Sequence, residues 1–148
     1  MPGLTNYLRG RLAEHAFRGA STALPGGTYV NLLTSVPTTD GTLAGGPLDG
    51  VEWSPARIQL HPTADPTLLV ELGSFGGVDV VNEDAIVWDS TATSGLTANT
   101  RVVGVGIWDN ADNLLAWDHL TRIIYVTPSS EVSFPARDLK IRLHKEIE

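Results

Sequence analysis

Cysteine is absent from this sequence, so neither a disulfide framework nor a thiolate zinc site is open to it. Positive charge is scarce: 10 Lys and Arg stand against 17 Asp and Glu, for a net charge of −7. Binding nucleic acid by displacing counterions needs clustered Lys and Arg, so no nucleic-acid partner is expected. Long apolar runs are missing too. Stretches such as Ala85–Trp88 and Ile123–Val126 are apolar for only four residues, whereas a membrane-spanning helix needs about 20. No membrane contact is therefore expected. The N-terminus has no secretory apolar region, because Arg9, Arg11, Glu14 and Arg18 interrupt it. Synthesis in a cytoplasm is the expectation.

Catalytic signatures are equally sparse. His15, His61, His119 and His144 are scattered, with no helical metal-ligand spacing. No Ser stands in a G-x-S-x-G context. The glycine pairs Gly26-Gly27, Gly45-Gly46 and Gly76-Gly77 lack the Lys and Ser/Thr of a phosphate cradle and read as turns. The run DNADN at Asp109–Asn113 lacks the ligand spacing, the Gly and the distal Glu of a calcium loop. Asp and Asn there read as turn formers that bond their own backbone. Asp79, Glu83, Asp84 and Asp89 read as solvated strand edges. No catalytic residue, metal or cofactor is assigned, and an enzyme is not expected.

What is present is turn chemistry and alternation. The 15 Gly and 9 Pro make about 16% of the 148 residues, above the usual share of about 12%. Many short elements follow. Leu4 to Arg18 is the one helix candidate, with Thr5 as N-cap, an i, i+4 stripe of Leu4, Leu8, Leu12 and Ala16, and Gly19 as its stop. Gly10 weakens it by about 1 kcal/mol against Ala. Strands are expected at Thr28–Thr34, Ala56–Leu60, Thr67–Leu72, Val78–Val81 and Ala85–Trp88, the last two as one interrupted strand or a hairpin. Ser35–Gly50 and Ser90–Thr100 read as loops. Arg101–Trp108 is a strand in which Gly104 and Gly106 leave one face bare for a second backbone or an aromatic ring. Leu114–Trp117 and Arg122–Val126 follow as separate strands, then a short edge segment at Val132 and Phe134. In the closing strand Leu139, Ile141 and Leu143 oppose Asp138, Lys140 and Arg142.

This pattern predicts a mainly β fold, a single antiparallel β-sandwich or small barrel with one N-terminal α-helix. Residues 1–148 form one domain, with a helix or arm over 1–20 and the sandwich over 28–143. Trp108 and Trp117 flank the DNADN turn and serve the core or a seam between subunits. Trp53, beside the long loop, is the candidate for a partner surface, where an exposed Trp is a hot spot.

The opening LTNYLRGRLAEHAF, then YVNLLTSVP and ARIQL, and later GIWDNADNLLAWDHLTRIIYV and VSFPARDLKIRL, succeed one another along nearly the whole chain. In this order they resemble a family of small virion proteins of tailed bacteriophages. The family's Tyr-Ala-Arg appears here as Pro55-Ala56-Arg57, and its Gly before the last strand as Arg137. The resemblance implies a structural protein with no active site, made in the host cytoplasm. Compact size without shaft repeats favours a capsid decoration, or cement, protein on the outer surface of the head. Its expected partners are the major capsid protein and itself, as a homotrimer. Candidate interface residues are Leu4, Tyr7, Leu8, Trp53, Arg57, Trp108 and Trp117. The alternative is a tail-associated protein of the same particle: fibre base, adaptor or knob. Two further readings are a carbohydrate-binding sandwich using exposed Trp, and a small hydrolase with two carboxylates converging in a cleft.

Overall fold

A computed structural model describes residues 3–18, 26–37, 53, 57–61, 68–72, 77–94, 96 and 99–143. Its elements are β1 (Gly3–Leu4), α1 (Asn6–Arg18), β2 (Thr28–Leu33), β3 (Ile58–His61), β4 (Leu68–Leu72), β5 (Val78–Asn82), β6 (Ile86–Trp88), α2 (Ser90–Thr93), β7 (Thr100–Asp109), β8 (Leu114–Val126), β9 (Val132–Phe134) and β10 (Lys140–Leu143). Every strand pairing is antiparallel. The largest sheet has the order β1-β8-β7-β2-β3, a second β10-β5-β4, and a third pairs β6 with β9. Among the described residues no sheet closes on itself, so the architecture is sandwich-like and not a closed barrel.

One face of the large sheet supplies Val30, Leu32, Val102, Ile107 and Leu115 to the main core. Ile86, Trp88 and Val132 from β6 and β9, and Leu139 before β10, meet them there. The opposite face carries a smaller cluster of Leu33, Trp108, Leu114 and Trp117. Gly104 and Gly106 make that second cluster possible. A Cβ on Gly104 would lie 2.7 Å from the Asp118 carbonyl oxygen, and one on Gly106 would lie 2.7 Å from the Trp108 ring. The expected close approach of a backbone and of a ring occurs at these two positions.

Several local expectations are corrected. Leu114–Val126 is one 13-residue strand, because β7 offers it a continuous partner from Thr100 to Trp108 despite bulges near Gly104 and Trp108. Val78–Val81 and Ala85–Trp88 are neither one strand nor a hairpin. They sit in different sheets, and the Asn82 side chain holds the corner by donating to the Asp84 and Pro135 carbonyls while accepting from the Leu139 amide. The 90–100 segment contains α2, capped by the Asp89 side chain accepting from Ala92 N. Most of the expected 35–50 loop lies outside the described residues.

Candidate functional site

The β7–β8 hairpin organises the end of the molecule where most candidate interface residues meet. Its DNADN turn is built on Asp109, which is buried. One Asp109 carboxylate oxygen, Oδ1, accepts from the amides of Ala111 and Asn113 at 2.8 and 2.9 Å. The other, Oδ2, accepts from Asn113 Nδ2 at 2.9 Å and from the Tyr7 hydroxyl at 3.3 Å. Asp112 takes the positive φ of 64° that the turn requires, a conformation Asp tolerates better than most residues. Its carboxylate receives Arg57 Nη1 at 2.5 Å, and the Arg57 guanidinium lies 4.6 Å from the centroid of the Trp108 ring. A planar cation stacked on an indole and bonded to a carboxylate is fixed in orientation.

The N-terminal segment is rooted on the same hairpin. Leu4 pairs with Ala116 and Gly3 with Trp117. The Thr5 hydroxyl lies 2.6 Å from the Leu114 carbonyl and 3.0 Å from that of Leu115, and it accepts from the Leu8 amide at 3.4 Å. Thr5 is thus the expected N-cap of α1 and also its tether. Leu4, Tyr7, Leu8, Arg57, Trp108 and Trp117 therefore gather around one hairpin, although they are spread over more than a hundred positions of sequence.

Trp53 does not join them. It is 2% exposed, packs edge-to-face on Trp88 at 6.1 Å, and shares a core with Phe134 through that ring. Its backbone is held by Leu32 and by the Asn31 side chain. The expectation of Trp53 at a partner surface is corrected: its indole is large enough to fill the gap between the sheets, and it does so. Trp88, Trp108 and Trp117 are buried as well, which removes the exposed-Trp basis of the carbohydrate reading. Tyr7 is likewise buried. The hairpin residues build the root of α1, and they do not themselves present a free surface.

Sequence periodicity misassigned the exposed side of α1. The helix turns Tyr7, Arg11 and Glu14 inward, with Arg11 over the Tyr7 ring at 5.4 Å. At 100° per residue, Arg9, Leu12, Ala13, Ala16 and Phe17 share the other side, and all five are exposed. Leu12 is 39% and Phe17 88% exposed. The apolar stripe expected to face the core faces outward beyond Leu8, because Thr5 and Tyr7 set the entry angle.

Asp79 is a second correction. It is not a solvated edge residue; its side chain is 4% exposed. Arg142, directly opposite in the β5–β10 register, donates Nε at 3.0 Å and Nη2 at 3.5 Å, and Lys140 Nζ stands 3.7 Å away. The Arg142 hydrogen bond holds the carboxyl below its ordinary 3.8, outweighing the burial that pushes it up, with the charges of Arg142 and Lys140 adding to the depression.

Two concavities border these features. A cleft of about 330 Å3 between β8 and β10 has mainly hydrocarbon walls, with Asp118 its single carboxylate among the described residues. A shallower one lies over Tyr29, Arg57, Asp109, Asn110 and Asp112. Its two carboxylates are those already engaged by the hairpin and by Arg57.

Residues 3–142 match the family described as podophage GP4 fiber I protein gp80. No curated protein matches the chain.

Proposed function

The chain belongs to the podophage GP4 fiber I protein gp80 family, and from that premise we propose that this phage virion structural protein serves in the tail-fibre apparatus, joined to its neighbours by surface burial and without catalysis. The word fibre in the family's description supports a tail-associated place over decoration of the head. The observation that carries the mode of action is α1, clamped at its first turn by Thr5 and Tyr7 and bare along an apolar stripe beyond Leu8. A rigidly rooted helix with an uncovered apolar face is a docking element whose geometry is set before it meets its partner. The non-catalytic reading is supported by the carboxylates themselves. Asp109 shapes a turn, Asp89 caps a helix, and Asp79 and Asp112 hold arginines. A glycoside hydrolase needs two carboxyl groups free to work on one bond.

Immunogold labelling of purified particles, with gel densitometry against the major capsid protein, tests the placement. Label confined to the tail end, with copies far below those of the capsid protein, is the expected result. Label spread evenly over the head at comparable copy number would replace this reading by capsid decoration.

A further inference from the structure

We propose that the outward face of α1 docks on the outer face of the β6–β9 ribbon of a second copy of this chain, so that copies join head to tail.

The helix side of the contact is apolar and basic. Leu12, Ala13, Ala16 and Phe17 form the stripe, with Arg9 on it; Arg18, the last residue of the helix, is exposed beside it on the Tyr7 side. α1 holds three of the chain's ten basic residues and one of its seventeen acidic ones, so it is net positive in a chain of net charge −7. Among the described residues, neither Arg9 nor Arg18 has an ion-pair partner.

The ribbon side is complementary. Ile86, Trp88 and Val132 turn into the core, which leaves Val87 of β6 and Ser133 of β9 exposed on the outer face, with the exposed residues Ala85, Asp89, Glu131 and Pro135 flanking the two strands. Val87, 42% exposed, sits at the middle of this ribbon, opposite Ser133. Glu83 and Asp84 extend the acidic rim at the start of β6, and both are exposed. Glu83, Asp84 and Glu131 also lack ion-pair partners among the described residues. A small apolar centre flanked by unpaired carboxylates matches an apolar stripe that carries one unpaired guanidinium, Arg9, with a second, Arg18, at the helix end. Charges of one sign meeting the other across an interface set register and partner choice, and an aromatic with flanking Arg is a common anchor. Because the two surfaces differ, the contact is heterologous and closes into a ring when the rotation allows.

The inference goes beyond the tail placement and holds on either part of the particle. It is therefore tested on the purified full-length chain, by sedimentation velocity. At about 100 μM and low salt the wild type is expected to self-associate, with the association about tenfold weaker in about 0.5 M NaCl. Arg9→Glu/Arg18→Glu is expected to weaken it tenfold or more, and so is Glu83→Lys/Glu131→Lys. All four substitutions in one chain restore association, because the reversed helix again meets a reversed ribbon. Far-ultraviolet circular dichroism checks that each variant keeps its fold. A helix-reversed and a ribbon-reversed chain also bind each other when mixed, a readout that misfolding cannot produce. A monomeric wild type overturns the proposal and leaves α1 for a different virion protein. Association indifferent to both reversals, or no recovery in the fourfold variant, overturns it equally.

Discussion

Asp109 shows how one buried carboxylate replaces several backbone contacts. It satisfies two amides, a side-chain amide and a phenol at the tip of the longest hairpin. Asp109→Ala removes the shared acceptor of those donors, of which the Tyr7 hydroxyl is buried and the turn amides half-buried. A loss of about 2–4 kcal/mol is expected in urea unfolding. A change below about 0.5 kcal/mol would mean the turn holds itself. Gly104 and Gly106 are demanding for a different reason. At Gly104 the obstacle to a Cβ is the Asp118 backbone oxygen, at Gly106 an indole edge that shifts more readily. Gly104→Ala is therefore expected to destabilise by about 1–3 kcal/mol, and Gly106→Ala by less. The reverse order in paired denaturation curves would show that the Trp108 ring is the harder wall.

At the scale of elements, Thr5 serves both the start of α1 and, with Tyr7, its seat. Thr5 caps the helix and ties it to the Leu114 and Leu115 carbonyls. Loss of a cap alone is worth about 1 kcal/mol. Thr5→Ala is expected to exceed that and to raise protease cleavage within 6–18 while the sheets stay protected. Equal protection in wild type and variant would assign the anchoring to Tyr7 instead. The β5–β10 pair has an acid signature. The Asp79 carboxyl ionises at lower pH in the folded chain than in the unfolded one, where it titrates near 3.8. Its contribution is complete above about 3.8, and it is lost as pH falls from there through the folded value, because the unfolded state then binds the extra proton. Asp79→Asn is expected to lower stability at neutral pH and to flatten the decline below about pH 3.8. An acid limb parallel to wild type would locate the titration elsewhere.

Taken whole, the molecule joins distant segments. β1 at residues 3–4 pairs with β8 near residue 116, and β2 pairs with β7 71 to 81 positions on. Such non-local pairing must close large loops before any contact rewards it. Refolding in the millisecond-to-second range is expected by stopped-flow Trp fluorescence, since all four indoles become buried. A submillisecond phase carrying the whole amplitude would argue that local hairpins dominate.

Composition and alternation by themselves determined the class of fold. Leu139 and Ile141 against Lys140 and Arg142 repeat at the period of a one-sided strand, and the DNADN run can only turn, so both were legible in a linear reading. The N-cap at Thr5 and the bare glycines of β7 were legible for the same reason, since each is a local backbone requirement. Three-dimensional packing decided the rest. Trp53 became core because Trp88 arrives beside it from 35 positions away, itself backed by Phe134 from β9. Asp79 became buried because Arg142 lies across the ladder from it. The helix shows the division most plainly. Its apolar stripe is written in the sequence, but which side meets the sheet was fixed by the entry angle at Thr5 and Tyr7, and periodicity carries no information about an angle.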